Sequence, residues 1–195
     1  MKTEVLRIWV KNMETKKHIR ERILAIRDAM VTEERMTADT AILHKILQNQ
    51  YYKRANCLFT YLSYHSEVDT MHLVLQAWKD GKAVYCPKVS GDTMRFYRIY
   101  SFTEVEEGYR GILEPKTQQA EEVNLSDALC IMPGVAFDRY RHRIGYGKGF
   151  YDKFLSDKPE LMTMALCYTC QMVEDIQIES FDCIPKILYT ETKQW

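Results

Sequence analysis

The chain has no surplus of either charge: Lys plus Arg and Asp plus Glu stand at 27 each. Proteins that read nucleic acid or sit on membrane surfaces usually carry a basic excess, so neither partner is expected. No apolar run reaches the length of a bilayer span. Residues 1–12 contain no apolar core of the signal-peptide kind, because Arg7 interrupts Val5, Leu6, Ile8, Trp9 and Val10. A cytoplasmic protein with reduced thiols is therefore expected. Repeats, low-complexity tracts and Pro/Gly/Ser-rich linkers are all missing, which favours one domain over residues 1–195. Cys167-x-x-Cys170 has no second CxxC and no paired histidines to complete a metal set. The six cysteines mostly sit in apolar runs such as Ala128-Leu129-Cys130-Ile131-Met132, as small core residues do. No Ser/His/Asp arrangement is visible.

What is present suits a packed globule, with 46% apolar residues. Ile19, Ile23, Ile26 and Met30 recur at helical spacing over 15–30, with Lys16, Lys17, Arg20, Arg22 and Arg27 on the polar face. Thr32 is placed to cap a second helix whose buried stripe would be Met36, Leu43, Ile46, Leu47 and Tyr51. Strands are expected at 57–62, at 83–86 where Pro87 would end it, and at 94–100, 129–132, 163–168 and 184–189. Helices are expected at 70–80, capped by Asp69 and stopped by Gly81, and at 148–156. Alternating strands and helices predict an α/β fold with a mostly parallel sheet. Ligands in such sheets bind at loops beyond the carboxyl ends of strands, where 63–69 and 133–149 lie.

The run Arg143-Ile144-Gly145-Tyr146-Gly147-Lys148-Gly149-Phe150-Tyr151-Asp152 carries the strongest chemistry. Alternate glycines allow positive φ and close approach of the backbone to a ligand. Arg143 and Lys148 add charge, with Arg139 and Arg141 upstream, and a helix starting near Lys148 would add free N–H groups. Such a loop suits an anion, most simply a polyphosphate. Asp152, four residues after Lys148, would then share its helical face and could bridge to phosphate through Mg²⁺. The pattern is neither a Walker A loop nor a dinucleotide fingerprint, and GxGxG alone reads equally well as a tight turn. Lys16, Lys17 and Arg20 are most simply a solvated face, with a nucleotide contact as the alternative. Glu67 could accept two N–H bonds from an amino-pyrimidine edge, or with Asp69 merely cap the following helix. His65 is taken as a surface loop residue.

With those residues in view, the chain resembles the 5-formyltetrahydrofolate cyclo-ligase (methenyltetrahydrofolate synthetase) family along nearly its whole length. The strongest match is Met132-Pro133-Gly134-Val135-Ala136-Phe137-Asp138 followed by the glycine run. The segments 16–20, 61–63, 67–70, 111–115 and 182–191 support it. The resemblance implies a three-layer α/β/α sandwich and ATP contacts from Lys16, Lys17, His18, Ile19, Arg20, Arg143, Ile144, Gly145, Tyr146, Gly147, Lys148, Gly149, Phe150 and Tyr151. It implies Mg²⁺ on Asp152, folate contacts from Leu62, Glu67 and Tyr151, and transition-state roles for Lys148 and Arg143. The implied activity is ATP-dependent closure of 5-formyltetrahydrofolate, with or without a polyglutamate tail, to 5,10-methenyltetrahydrofolate by a monomer. Two departures stand out: Arg110, beside Tyr109, replaces an aromatic before Gly111, and Phe181 precedes Asp182 where the family often has histidine. The competing readings are a sugar-phosphate isomerase or acyl-CoA transferase, and a folate-binding protein without turnover.

Overall fold

A computed structural model describes residues 14–116 and 123–195; the segment 1–12 read above lies outside them. Helices α1 (Lys16–Asp28), α2 (Thr32–Gln48) and α3 (Gln50–Arg54) precede strand β1 (Cys57–Phe59). Helix α4 (Met71–Lys79) leads into β2 (Ala83–Ser90) and β3 (Thr93–Ile99). A hairpin of β4 (Val105–Glu107) and β5 (Leu113–Pro115) follows, then β6 (Ala128–Met132) and a second hairpin, β7 (Ala136–Phe137) and β8 (Arg143–Ile144). Helix α5 (Phe150–Leu155), β9 (Met162–Leu166) and β10 (Ile187–Tyr189) complete the α-helices and strands among the described residues.

The main sheet runs β10-β9-β6-β1-β2-β3, parallel except for the β2–β3 pair. Side chains alternate across it with period two. Leu58, Val84, Leu129, Ile131, Met164 and Leu166 face α2 and α4, which bring Ala38, Ile42, Ile46, Leu73, Val74 and Ala77. Phe59, Tyr85, Cys130, Met132 and Ala165 face the other way, onto Phe137, Tyr151 and Leu155. Helices thus cover both faces, the α/β/α layering expected. The order reverses between β1 and β6, so the loops after these two neighbouring strands flank one topological switch point. Helix α1 packs outside this frame, with Ile19 and Ile23 against Val135, Ala136 and Ile144 of the second hairpin.

Several local expectations are corrected. Helix α1 buries Arg27, at 2% exposure, where Ile26 was expected; Ile26 is 43% exposed. Helix α2 begins at Thr32 with Val31 as its uncapped N-cap. Its buried row is Ala38, Ile42 and Ile46, with Leu43 and Leu47 half-buried beside it, because that row meets the sheet; Met36, and Tyr51 in α3, face solvent. Strand β2 continues through Pro87: its register with β1 ends at Phe59↔Tyr85, so beyond it that side of β2 has no β1 ladder for an N–H to join. Neither short hairpin was foreseen, since two- and three-residue strands carry no readable period. Asp69 does cap α4, accepting from the N–H groups of Met71 and His72 at 3.1 and 3.2 Å, and Gly81 stops it at φ +76°.

Candidate functional site

The loop after β1 carries Glu67. Its Oε2 accepts from the Tyr64 N–H at 3.0 Å and its Oε1 from the Tyr146 hydroxyl at 2.7 Å. Burial pushes the Glu67 carboxyl above its ordinary range, opposed by those two donors and by the Arg27 charge. The same loop is fastened to α1, where Arg27 Nε donates to Ser66 Oγ at 2.9 Å and Ser66 in turn bonds Asp28. Burial disfavours the Arg27 charge, but the Tyr146 hydroxyl and the carboxylates of Glu67 and Asp28 more than offset this. Leu62 is buried at the head of the loop. His65 lies exposed at φ +52°, as a turn residue would.

The loop after β6 carries the second hairpin and the glycine run. Asp138, fully buried, organises the hairpin turn. One oxygen accepts from the N–H groups of Tyr140 and His142, both at 2.9 Å. The other bonds His142 Nδ1 at 2.8 Å and the Ile176 N–H at 3.0 Å. Asp138, His142 and Asp175 lie close enough to hold a metal, yet four neighbouring nitrogens already occupy the Asp138 oxygens, which suits a structural carboxylate. Gly134, at the hairpin's entrance, packs so tightly that a Cβ there would lie 2.3 Å from the Phe137 ring.

Arg143 leaves β8 and donates from Nη2 to Asp152 Oδ1 at 2.6 Å. Cys183 N–H reaches the same oxygen at 3.0 Å, while Asp152 Oδ2 has no hydrogen-bond partner among the described residues. One carboxylate oxygen is thus left for a hard cation. Gly147 and Gly149 take φ of +99° and +64°, which only glycine adopts freely. The expected helix start is corrected: α5 begins at Phe150 with Gly149 as a left-handed cap, so Lys148 precedes the helix and does not share its face with Asp152. With six residues, α5 adds little dipole; the loop's positive character comes from side chains. Lys148 is exposed. Two buried donors, Arg143 Nε and the Tyr151 hydroxyl, have no hydrogen-bond partner among the described residues. Buried polar groups are normally paired, and an oxygen-rich ligand would supply the acceptors that both donors lack.

Helix α1 reaches this loop through Arg20, whose Nε donates to the Gly145 carbonyl at 2.8 Å. Lys16 pairs with Asp182 at 2.8 Å. Burial opposes ionisation of Asp182, but Lys16 and the Glu179 N–H hold its pKa below the ordinary value. The structure therefore brings Lys16, Arg20, Arg143, Asp152, Tyr146 and Glu67 together. Lys17 and His18 point to solvent, and Ile19 is a core residue. Sequence reasoning missed Arg27, Ser66 and the Lys16–Asp182 pair. For Arg27 a signal existed, because Arg20, Ile23 and Arg27 share one helical face.

Fold and site together define a doubly wound α/β protein whose switch point joins the half-buried Glu67 carboxylate to a basic, glycine-rich loop. The 5-formyltetrahydrofolate cyclo-ligase family model matches residues 12–190, and the chain belongs to that family of enzymes. It is 33% identical over 147 residues to the 5-formyltetrahydrofolate cyclo-ligase of Escherichia coli, covering 72% of this chain and 81% of that one. To that of Haemophilus influenzae it is 28% identical over 177 residues, covering 88% and 95%. The solved structure of Aquifex aeolicus 5,10-methenyltetrahydrofolate synthetase superposes with a TM-score of 0.79 at 29% identity, covering 92% of this chain and 91% of that one.

Proposed function

We propose that this chain catalyses the ATP- and Mg²⁺-dependent closure of 5-formyltetrahydrofolate to 5,10-methenyltetrahydrofolate, releasing ADP and phosphate. The observation that carries the reading is the hydrogen bond from Tyr146 to Glu67, which joins the glycine loop and the candidate folate carboxylate in one site. A carboxylate offers about four lone-pair positions. Protein donors use two at Glu67, leaving two for the paired N–H groups of a pterin edge.

The formyl group on N5 is an amide, and its oxygen leaves poorly as hydroxide. The formyl oxygen would take the γ-phosphoryl group of ATP as ADP leaves, N10 would attack the formyl carbon and give up its proton, and the C–O bond would break as phosphate departs with that oxygen. Catalysis of this kind is mainly positioning and charge neutralisation. Arg143, anchored on Asp152, and Lys148, free on the loop, would neutralise charge on the moving phosphoryl group. The segments 16–20 and 143–151 would hold the nucleotide, with Arg20 and Lys16 approaching from α1. Asp152 would hold Mg²⁺, which supplies charge neutralisation on the phosphates. Glu67 would bind the pterin, with Leu62 and Tyr151 beside it. Ile19 and Leu62 have buried side chains, so their part would be as backbone and packing. A monomer working in the cytoplasm, on folate with or without a polyglutamate tail, goes with this reading.

ADP release measured with and without 5-formyltetrahydrofolate tests it. Release that depends on the folate is expected; a sugar-phosphate isomerase or acyl-CoA transferase would release none in either case.

A further inference from the structure

Three segments distant in sequence meet at one hydroxyl. Tyr146, on the glycine loop, bonds Glu67 Oε1 at 2.7 Å and Arg27 Nη2 at 3.0 Å. A guanidinium has no acceptor, so Arg27 donates to the hydroxyl and the hydroxyl must donate to Glu67. The polarity of the chain is fixed by chemistry. Tyr146 is 45% exposed while Arg27 is 2% exposed. The tyrosine therefore contributes its hydroxyl to the interior rather than its ring. Ser66, hydrogen-bonded to both Arg27 and Asp28, keeps the Arg27 fork rigid. The Tyr146 end is the adjustable one: it stands between Gly145, held by Arg20, and Gly147 at φ +99°.

We propose that Tyr146, backed by Arg27, is a positioning residue that ties the aim of Glu67 to the conformation of the glycine loop, so that nucleotide and folate bind cooperatively. The inference rests on the cyclo-ligase reading of Glu67 and of the loop. A nucleotide that orders the loop orders the hydroxyl, and the hydroxyl holds the carboxylate for the pterin edge. By linkage the folate must tighten nucleotide binding by the same factor. The titratable and charged groups facing Glu67 are Arg27, Tyr146, His65, Tyr61 and Tyr151, with Asp28 behind Arg27. Removing the tyrosine hydroxyl deletes a donor to the ionised carboxylate, so Glu67 takes up its proton at higher pH.

The test is titration of 5-formyltetrahydrofolate into wild type, Tyr146→Phe and Glu67→Gln. Each is measured with and without Mg²⁺ and an ATP analogue that cannot transfer its γ-phosphoryl group, at several pH values. In wild type the analogue should tighten folate binding. In Tyr146→Phe, folate should bind roughly tenfold more weakly, the loss expected for a hydrogen bond to a charged group. The analogue's effect should vanish, and the acid limb of binding should move to higher pH. A purely structural tyrosine would leave that limb in place. Unchanged affinity, an unmoved limb or an undiminished analogue effect in Tyr146→Phe overturns the proposal, as does a wild type without that effect. If Glu67→Gln loses folate while Tyr146→Phe behaves as wild type, the inference alone fails. If wild type binds no folate, or Glu67→Gln binds it as well as wild type, the reading of Glu67 fails and the inference falls with it.

Discussion

Lys148 stands exposed between two glycines in left-handed conformations, and no ion pair holds it among the described residues. Arg143, by contrast, is committed to Asp152. Of the two cations assigned to the phosphoryl group, Lys148 is therefore the one free to follow moving charge. Replacing it with alanine should lower turnover at saturating ATP on the order of 10²–10³-fold, the usual loss of a preorganised charge. Near-normal turnover in that variant would remove Lys148 from the chemistry. At Glu67 the sign of pH dependence follows from its surroundings. Burial raises its carboxyl above 4.5, so the protonated form persists to higher pH than in a free chain. Folate affinity should fall as pH drops through that raised value, where the acceptor is lost. Stability moves oppositely: the raised pKa favours the folded state below the unfolded value, and that advantage is lost as pH rises through the folded one. Residue identity made Lys148 and Glu67 legible as candidates. The burial of Arg27 was passed over: it shares a helical face with Ile23, but an arginine on a basic helix face is by default solvated.

The glycine run owes its placement to the β7–β8 hairpin. Asp138 ties that turn to Tyr140, His142 and Ile176. Val135, Ala136 and Ile144 seat it on α1. Gly134 lets the chain pass the fully buried Phe137 ring. A methyl group there needs space that the core cannot yield, and overpacking typically costs about 1–3 kcal/mol. Gly134→Ala should therefore lower the melting temperature by roughly 5 °C for a chain of this size; an unchanged melt would show that the hairpin can shift. Helix α1 was readable from its apolar period, and α4 from its Asp69 cap and Gly81 stop. The short hairpins were not, because strands of two or three residues are too short to show a period. Nor was the true start of α5, since Gly149 caps the helix through its left-handed backbone rather than through a side chain.

The whole molecule brings together what the chain keeps apart. Reversal of strand order between β1 and β6 sets the 60–70 and 133–149 loops side by side. Helix α1 locks onto both through Arg27 and Arg20. Alternating elements foretold an α/β sheet and pointed to the edge where the candidate site lies. They could not foretell that the two loops follow neighbouring strands, since strand order is settled by packing rather than by local pattern. The measurement that tests the account most directly is the absorbance of the methenyl product when the protein is mixed with ATP, Mg²⁺ and 5-formyltetrahydrofolate. The account predicts product formation only with all three present, in step with ADP and phosphate. Tight folate binding without methenyl product, or product formed without ATP, would contradict it.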